Sequence, residues 1–185
     1  MKNFKITTLA LTVLVLFSSC DNDDTVVPVN EEELITTVRV TLVGGGQTIT
    51  LTSTDLDGDG PTAPNVVVSG ALTAGTTYTG SVAFLNELEN PAEDITTEVE
   101  EEGVDHQVFY QLAAALGTIT YTDLDANGNP IGLDFSYATG SAGSGTLTVT
   151  LRHLPNKSAA GVSTGNIANA GGATDAEVIF PFTIN

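Results

Sequence analysis

Ile35-Thr36-Thr37-Val38-Arg39-Val40-Thr41-Leu42-Val43, then Gly44-Gly45-Gly46, then Gln47-Thr48-Ile49-Thr50-Leu51-Thr52-Ser53, is the stretch that decides the fold. Threonine and β-branched residues dominate it. Val38, Val40 and Leu42 recur at every second place, so they share one face of an extended chain. Two such runs around a glycine turn predict a β-hairpin. Triple glycine also occurs in phosphate-cradling loops, but no GK[ST] and no helical pattern follow it here, so it reads as a turn.

The same composition continues outward. Residues 65–69 form a short valine run, and 76–85 alternate again, with Tyr78, Val82 and Phe84 inward by parity. Residues 117–123 and 131–139 flank an Asp- and Asn-rich turn, 143–153 place Leu147, Val149 and Leu151 on one side, and 176–184 form a last strand. Residues 104–112 alternate through Val104, His106, Val108, Tyr110 and Leu112 and read as a strand, although Ala113-Ala114-Ala115 would suit a helix. Asn90-Pro91-Ala92-Glu93 supplies an N-cap residue, proline at the first helical place and glutamate at N3. A short helix over about residues 92–102 is therefore expected, with Ile95 and Val99 on its apolar face and Gly103 as its stop. Glu98, Glu100, Glu101 and Glu102 crowd the end that the helix dipole makes negative. A solvated face is the plain reading of that crowding, and a nearby cation is the sharper one. Residues 155–174, rich in Ala, Gly, Ser and Asn and containing Lys157, read as a long loop of the functional or mobile kind.

About nine strands, one short helix and turn signals every eight to twelve residues predict a mainly β chain. Residues 34–185 then make a single antiparallel β-sandwich of immunoglobulin-like or jelly-roll character. No tryptophan and no cysteine pair are present to mark a true immunoglobulin domain.

Before the domain, Lys2 and Lys5 precede an apolar run from Ile6 to Phe17, which ends in Ser18-Ser19-Cys20. That is the layout of a secretory signal peptide over residues 1–19. The run is shorter than the roughly 20 apolar residues that span a bilayer. Cys20 is the only cysteine, so no internal disulfide is available to it. Its setting resembles the lipobox cleaved by signal peptidase II, which implies acylation at Cys20, a lipid-tethered acidic linker over residues 20–33 and membrane attachment without a transmembrane helix. Asp21-Asn22-Asp23-Asp24 resembles the tag that sends Bacteroidota-type lipoproteins to the outer face of the outer membrane, whereas enteric-type sorting would retain an aspartate directly after the cysteine. The cluster favours the cell surface, with the periplasmic face as the alternative. With residues 1–19 removed, three basic residues oppose 23 acidic ones and the net charge is −20. Such a surface repels nucleic acid and attracts cations, or simply keeps the chain dispersed.

Two Asp-rich loops could carry chemistry. Asp55, Asp57 and Asp59 fit D-x-D-x-D-G, and Asp123, Asp125 and Asn127 fit D-x-D-x-N-G, with Asp134 at the twelfth place of the second and Val66 at that of the first. Alternating short carboxylates can aim hard oxygens at one calcium ion, although Asp, Asn and Gly are also ordinary turn residues. His106 and His153 are the only histidines. With carboxylates they could ligate zinc or copper, but nothing in their spacing brings them together. No G-x-S-x-G, no H-E-x-x-H and no free thiol after acylation of Cys20 remain to mark a catalytic centre. Seven Phe, four Tyr and no Trp are few for a sugar-stacking groove.

The lipobox, the acidic tag and the segments EEELITTV, DLDGDGP, NPAEDIT-x-EVEEEG, HQVFY, GNPIGL and LRHLPNK together resemble a group of small acidic Bacteroidota-type lipoproteins. These often carry the label "type 1 periplasmic binding fold superfamily protein", which implies solute binding and two α/β lobes of repeated βαβ units. The residues themselves offer one helical pattern and therefore predict the sandwich. Two functional readings follow. One is a non-catalytic binding or accessory module for a cation, glycan or protein partner. The other is a calcium-supported envelope hydrolase acting through paired carboxylates.

Overall fold

The computed structural model describes residues 34–58 and 60–185, so the signal segment, Cys20, the linker to residue 33 and Asp59 lie outside the described residues. Among the described residues, ten strands and one α-helix form in the order β1 (Thr37–Gly44), β2 (Gln47–Thr54), β3 (Asn65–Val68), β4 (Thr77–Asn86), β5 (Glu93–Asp94), α1 (Ile95–Glu101), β6 (His106–Gln111), β7 (Gly117–Tyr121), β8 (Asp134–Thr139), β9 (Gly143–His153) and β10 (Ala173–Ile184). The larger sheet runs β3-β2-β1-β4-β8-β7 with β5 beside β4, and the smaller runs β10-β9-β6. Neighbouring strands are antiparallel throughout both sheets. The chain is a β-sandwich, not the two α/β lobes that the label implies.

Period-two patterning explains the two faces. In the opening hairpin Gly44 pairs with Gln47, which leaves Gly45 and Gly46 as a two-residue turn. Both have positive φ, 58° and 76°, the primed geometry that matches strand twist and that glycine adopts without steric cost. Val38, Val40, Leu42, Tyr78, Val82 and Phe84 all point inward, as their parity predicts. They meet Leu147, Val149 and Leu151 of β9 and Phe180 and Phe182 of β10 in one apolar core. Gly80 of β4 lies opposite Phe135 of β8, and the Phe135 ring occupies the space that a Cβ at Gly80 would need. Tyr110 and Tyr137 bury their rings while their hydroxyls donate to the carbonyls of Gly132 and Leu116, at 2.7 and 2.8 Å. The final residues are held by the segment before β4: Leu72 N donates to Thr183 O at 2.9 Å, Asn185 N to Leu72 O at 2.8 Å and Ala74 N to Asn185 O at 2.8 Å.

All nine expected strands are present, and the tenth is the two-residue β5. Two expectations need correction. The helix begins at Ile95 and not near residue 92, because Glu93 and Asp94 first pair with Asn86 and Leu85 at the end of β4. Asp94 is then the N-cap, its carboxylate accepting from Thr96 N at 3.1 Å. The second correction concerns residues 155–174. They fold back over the outer face of β6, where Phe109, Val162 and Ala170 form a second apolar cluster with Ala159 and Ile167. Gln107 Nε2 donates to Val162 O at 2.9 Å and ties the cover down. Both faces of β6 are therefore buried.

Candidate metal centre

His106 opens β6 and His153 closes β9, and the register of the smaller sheet makes the two residues direct partners. His106 shares parity with Val108 and Tyr110, and His153 with Leu151, so both rings sit at the end of the inward face. The rings stack with centroids 4.8 Å apart and planes inclined by 14°. Asp175 joins them from β10. The ladder with β9 pairs Thr174 with Arg152 and Ala176 with Leu151, which leaves Asp175 as the extra residue of a β-bulge. One ligand atom from each of the three side chains lies within 4.8 Å of the others.

His106 is 2% exposed, and its Nδ1 lies 3.3 Å from the carbonyl of Glu102, the C-cap of α1. A carbonyl can only accept, so Nδ1 carries the proton and Nε2 presents a lone pair, 3.9 Å from Asp175 Oδ2. Burial holds this imidazole below its ordinary value despite the opposing pull of the Glu102 carbonyl, with the neighbouring His153 acting in the same direction as burial. At neutral pH the group is thus a neutral nitrogen donor beside a second imidazole and a carboxylate. Leu154, directly after His153, is the only non-glycine among the described residues with positive φ, 52°.

No protein-family model, curated protein or solved structure matches this chain. What it does must be read from its own side chains.

Beside Asp175 opens a cleft of about 390 Å³ between β3 and β10, which are edge strands of the two sheets. Val38, Val66 and Val178 supply apolar lining, and Asp55, Asp175 and Glu177 supply carboxylates. Of the described loop residues considered for calcium, only Asp55 lines this cleft, while Asp59 lies outside the described residues. Asp55 Oδ1 accepts from Asp57 N at 3.3 Å, and Asp57 Oδ2 from Thr62 N at 3.2 Å.

In the second loop Asp123 and Asp125 have their oxygens committed to the chain itself. Asp123 accepts from the backbone of Gly132, Leu133 and Asp134 at 2.8, 2.7 and 3.1 Å. Asp125 Oδ1 accepts from Asn127 N and Asn129 N at 2.8 and 2.9 Å, and its Oδ2 from Lys157 Nζ at 2.9 Å. Lys157 Nζ also donates to Gly103 O and Pro130 O. Lys157 thereby sets an ammonium on the carbonyl of Gly103, which lies two residues beyond the end of α1.

Burial pushes the Asp125 carboxyl up, but Lys157 and the backbone of Asn129 and Asn127 outweigh it and hold it below the usual aspartate value. A carboxyl lowered in the folded state contributes stability above its unfolded value, about 3.9, and that contribution disappears as pH falls through the folded value. Melting profiles taken between about pH 6 and pH 2 should lose stability below about pH 4, and an Asp125→Asn variant should lack part of that loss. An identical acid profile in the variant would exclude this role.

The histidine pairing was hidden from sequence reading because it depends on strand register. The one available signal was parity: both histidines continue the inward-facing alternation of their strands.

Proposed function

We propose that this chain is a lipid-anchored outer-membrane protein, presented at the cell surface, that acts as a non-catalytic binding module for an extended, positively charged segment of a partner protein. The observation that carries this reading is the cleft between β3 and β10, with apolar side chains inside it and Asp55, Asp175 and Glu177 around them. From Asp175 to Pro181, β10 pairs with β9 on one side only, and its other edge carries no strand among the described residues. An open edge of this kind recognises an extended peptide through main-chain hydrogen bonds, while alternate side chains enter the adjoining cleft. The acidic lining and the net charge of −20 after removal of residues 1–19, with three basic against 23 acidic residues, favour a basic peptide and speed its encounter. The calcium-supported hydrolase reading draws no support from Asp123 and Asp125, whose oxygens accept from the chain's own N–H groups and Lys157.

The experiment uses the full chain purified from membranes in detergent and a labelled peptide of alternating valine and lysine, followed by fluorescence anisotropy. Binding should weaken with added salt and fall at least about tenfold in Glu177→Lys, a charge reversal beside the ligand. Absence of binding to the wild-type chain would overturn the peptide reading. In parallel, Cys20→Ser should release the protein from the membrane fraction, and surface protease should digest the wild type on intact cells. Retention of the variant, or full protection of the wild type, would overturn the anchoring or the surface placement respectively.

A further inference from the structure

We propose that His106, His153 and Asp175 bind one divalent transition-metal ion of the zinc and copper class. Asp175 also lines the cleft, whereas neither histidine does, so the site adjoins the peptide-docking surface and is tested separately. Four features of the fold converge on it.

The chain has two histidines in 185 residues, and strand register places both face to face, next to a carboxylate. A packing role would be met by any flat ring at either position, whereas two imidazoles and a carboxylate form an N,N,O donor set. Nitrogen donors favour zinc, copper, nickel and cobalt over calcium and magnesium, which prefer oxygen alone.

The outer partner of a metal-bound histidine is also in place. The Glu102 carbonyl holds Nδ1–H of His106 and so fixes the tautomer that offers Nε2. Glu102 caps the C-terminal end of α1, where the aligned peptide dipoles favour positive charge.

The bulge at Asp175 supplies the third ligand. A bulge inserts one residue into a strand and re-aims its side chain, a device frequent beside functional sites. Without it the ladder from Thr174 to Ala176 would run unbroken against Arg152 and Leu151.

The spacing is that of an open site. The three ligand atoms lie within 4.8 Å of one another, whereas tetrahedral zinc with bonds of about 2.0–2.1 Å holds its ligands roughly 3.4 Å apart. Side-chain rotation at His153 and Asp175, both only partly buried, closes that difference around the fixed His106. Three protein ligands leave one tetrahedral position for water or an external donor.

The test is titration of the full chain, purified in detergent and stripped with chelator. Co²⁺ is followed by its visible absorption bands and Zn²⁺ by calorimetry, with Ca²⁺ as the oxygen-seeking control. One ion should bind per chain, Zn²⁺ should displace Co²⁺, and Ca²⁺ should not. His153→Ala and Asp175→Asn should each weaken Zn²⁺ binding at least about tenfold with unchanged circular dichroism, while Glu177→Lys leaves it unaltered. If His153→Ala unfolds, the result for Asp175→Asn decides. No binding by the wild-type chain, or undiminished affinity in the folded variants, would overturn the proposal. Zn²⁺ binding by a wild-type chain that binds no peptide would reject the peptide reading alone.

Discussion

Replacing Lys157 with methionine should lower the unfolding free energy by about 3–5 kcal/mol and the melting temperature by on the order of 10 °C. The ammonium has three donors and three buried acceptors: Asp125 Oδ2 at 2.9 Å, Pro130 O at 2.9 Å and Gly103 O. Its side chain is 5% exposed and that of Asp125 fully buried, so water cannot replace the lost partner. Methionine keeps most of the aliphatic volume, and what remains is a buried carboxylate with two carbonyls left unpartnered. Lys157→Met with Asp125→Asn should be less destabilised than the two single changes sum to, by about 0.5–3 kcal/mol. Asparagine removes the orphaned charge while its carbonyl still accepts from Asn127 and Asn129. Urea melts decide the matter. If Lys157→Met lies within about 0.5 kcal/mol of the wild type, as a surface change would, the pairing is not formed in solution.

The second large effect belongs to Phe135. Its ring is fully buried, stands against Tyr110 with centroids 4.4 Å apart, and covers the bare backbone of Gly80 across the β4–β8 ladder. Phe135→Ala should cost about 3–5 kcal/mol, at the upper end, because no side chain at position 80 can move into the void. Gly80→Ala should itself cost about 1–3 kcal/mol by forcing the ring from its place. Combined with Phe135→Leu, however, Gly80→Ala should cost less than it does alone, since the shorter side chain makes room for the added methyl. Additive costs in equilibrium unfolding would mean that the two residues do not share this space.

The β-sandwich was legible because strand patterning is local. Alternation in residues 35–53 and 143–153 marks an inward face without any knowledge of the partner, and every core position taken from it is buried. The helix start was misplaced for a local reason too. Asn90-Pro91-Ala92-Glu93 has the composition of a helix start, but hydrogen bonds from β4 claim Glu93 and Asp94 first. The histidine centre was not legible, since it needs β6 beside β9 in one register and a bulge in β10. Neither has a signature in the residues around His106 or His153. Small and polar residues at 155–174 suggested a long functional or mobile loop, and composition did not show that Val162, Ala170 and the buried Lys157 pack it down as a cover.

The hold of Leu72 and Ala74 on residues 183–185 sets the order in which the molecule can close. A chain that emerges from its N-terminus exposes β1 to β4 first, yet the smaller sheet needs β10, and β10 is fastened at its far end only when Asn185 is present. Pairings between segments this distant in sequence form slowly, because loop closure must precede the contacts that reward it. Without β10 in place, the inward face of the larger sheet has no complete partner. Closure of the two sheets is therefore governed by this distant pairing and not by the local hairpins.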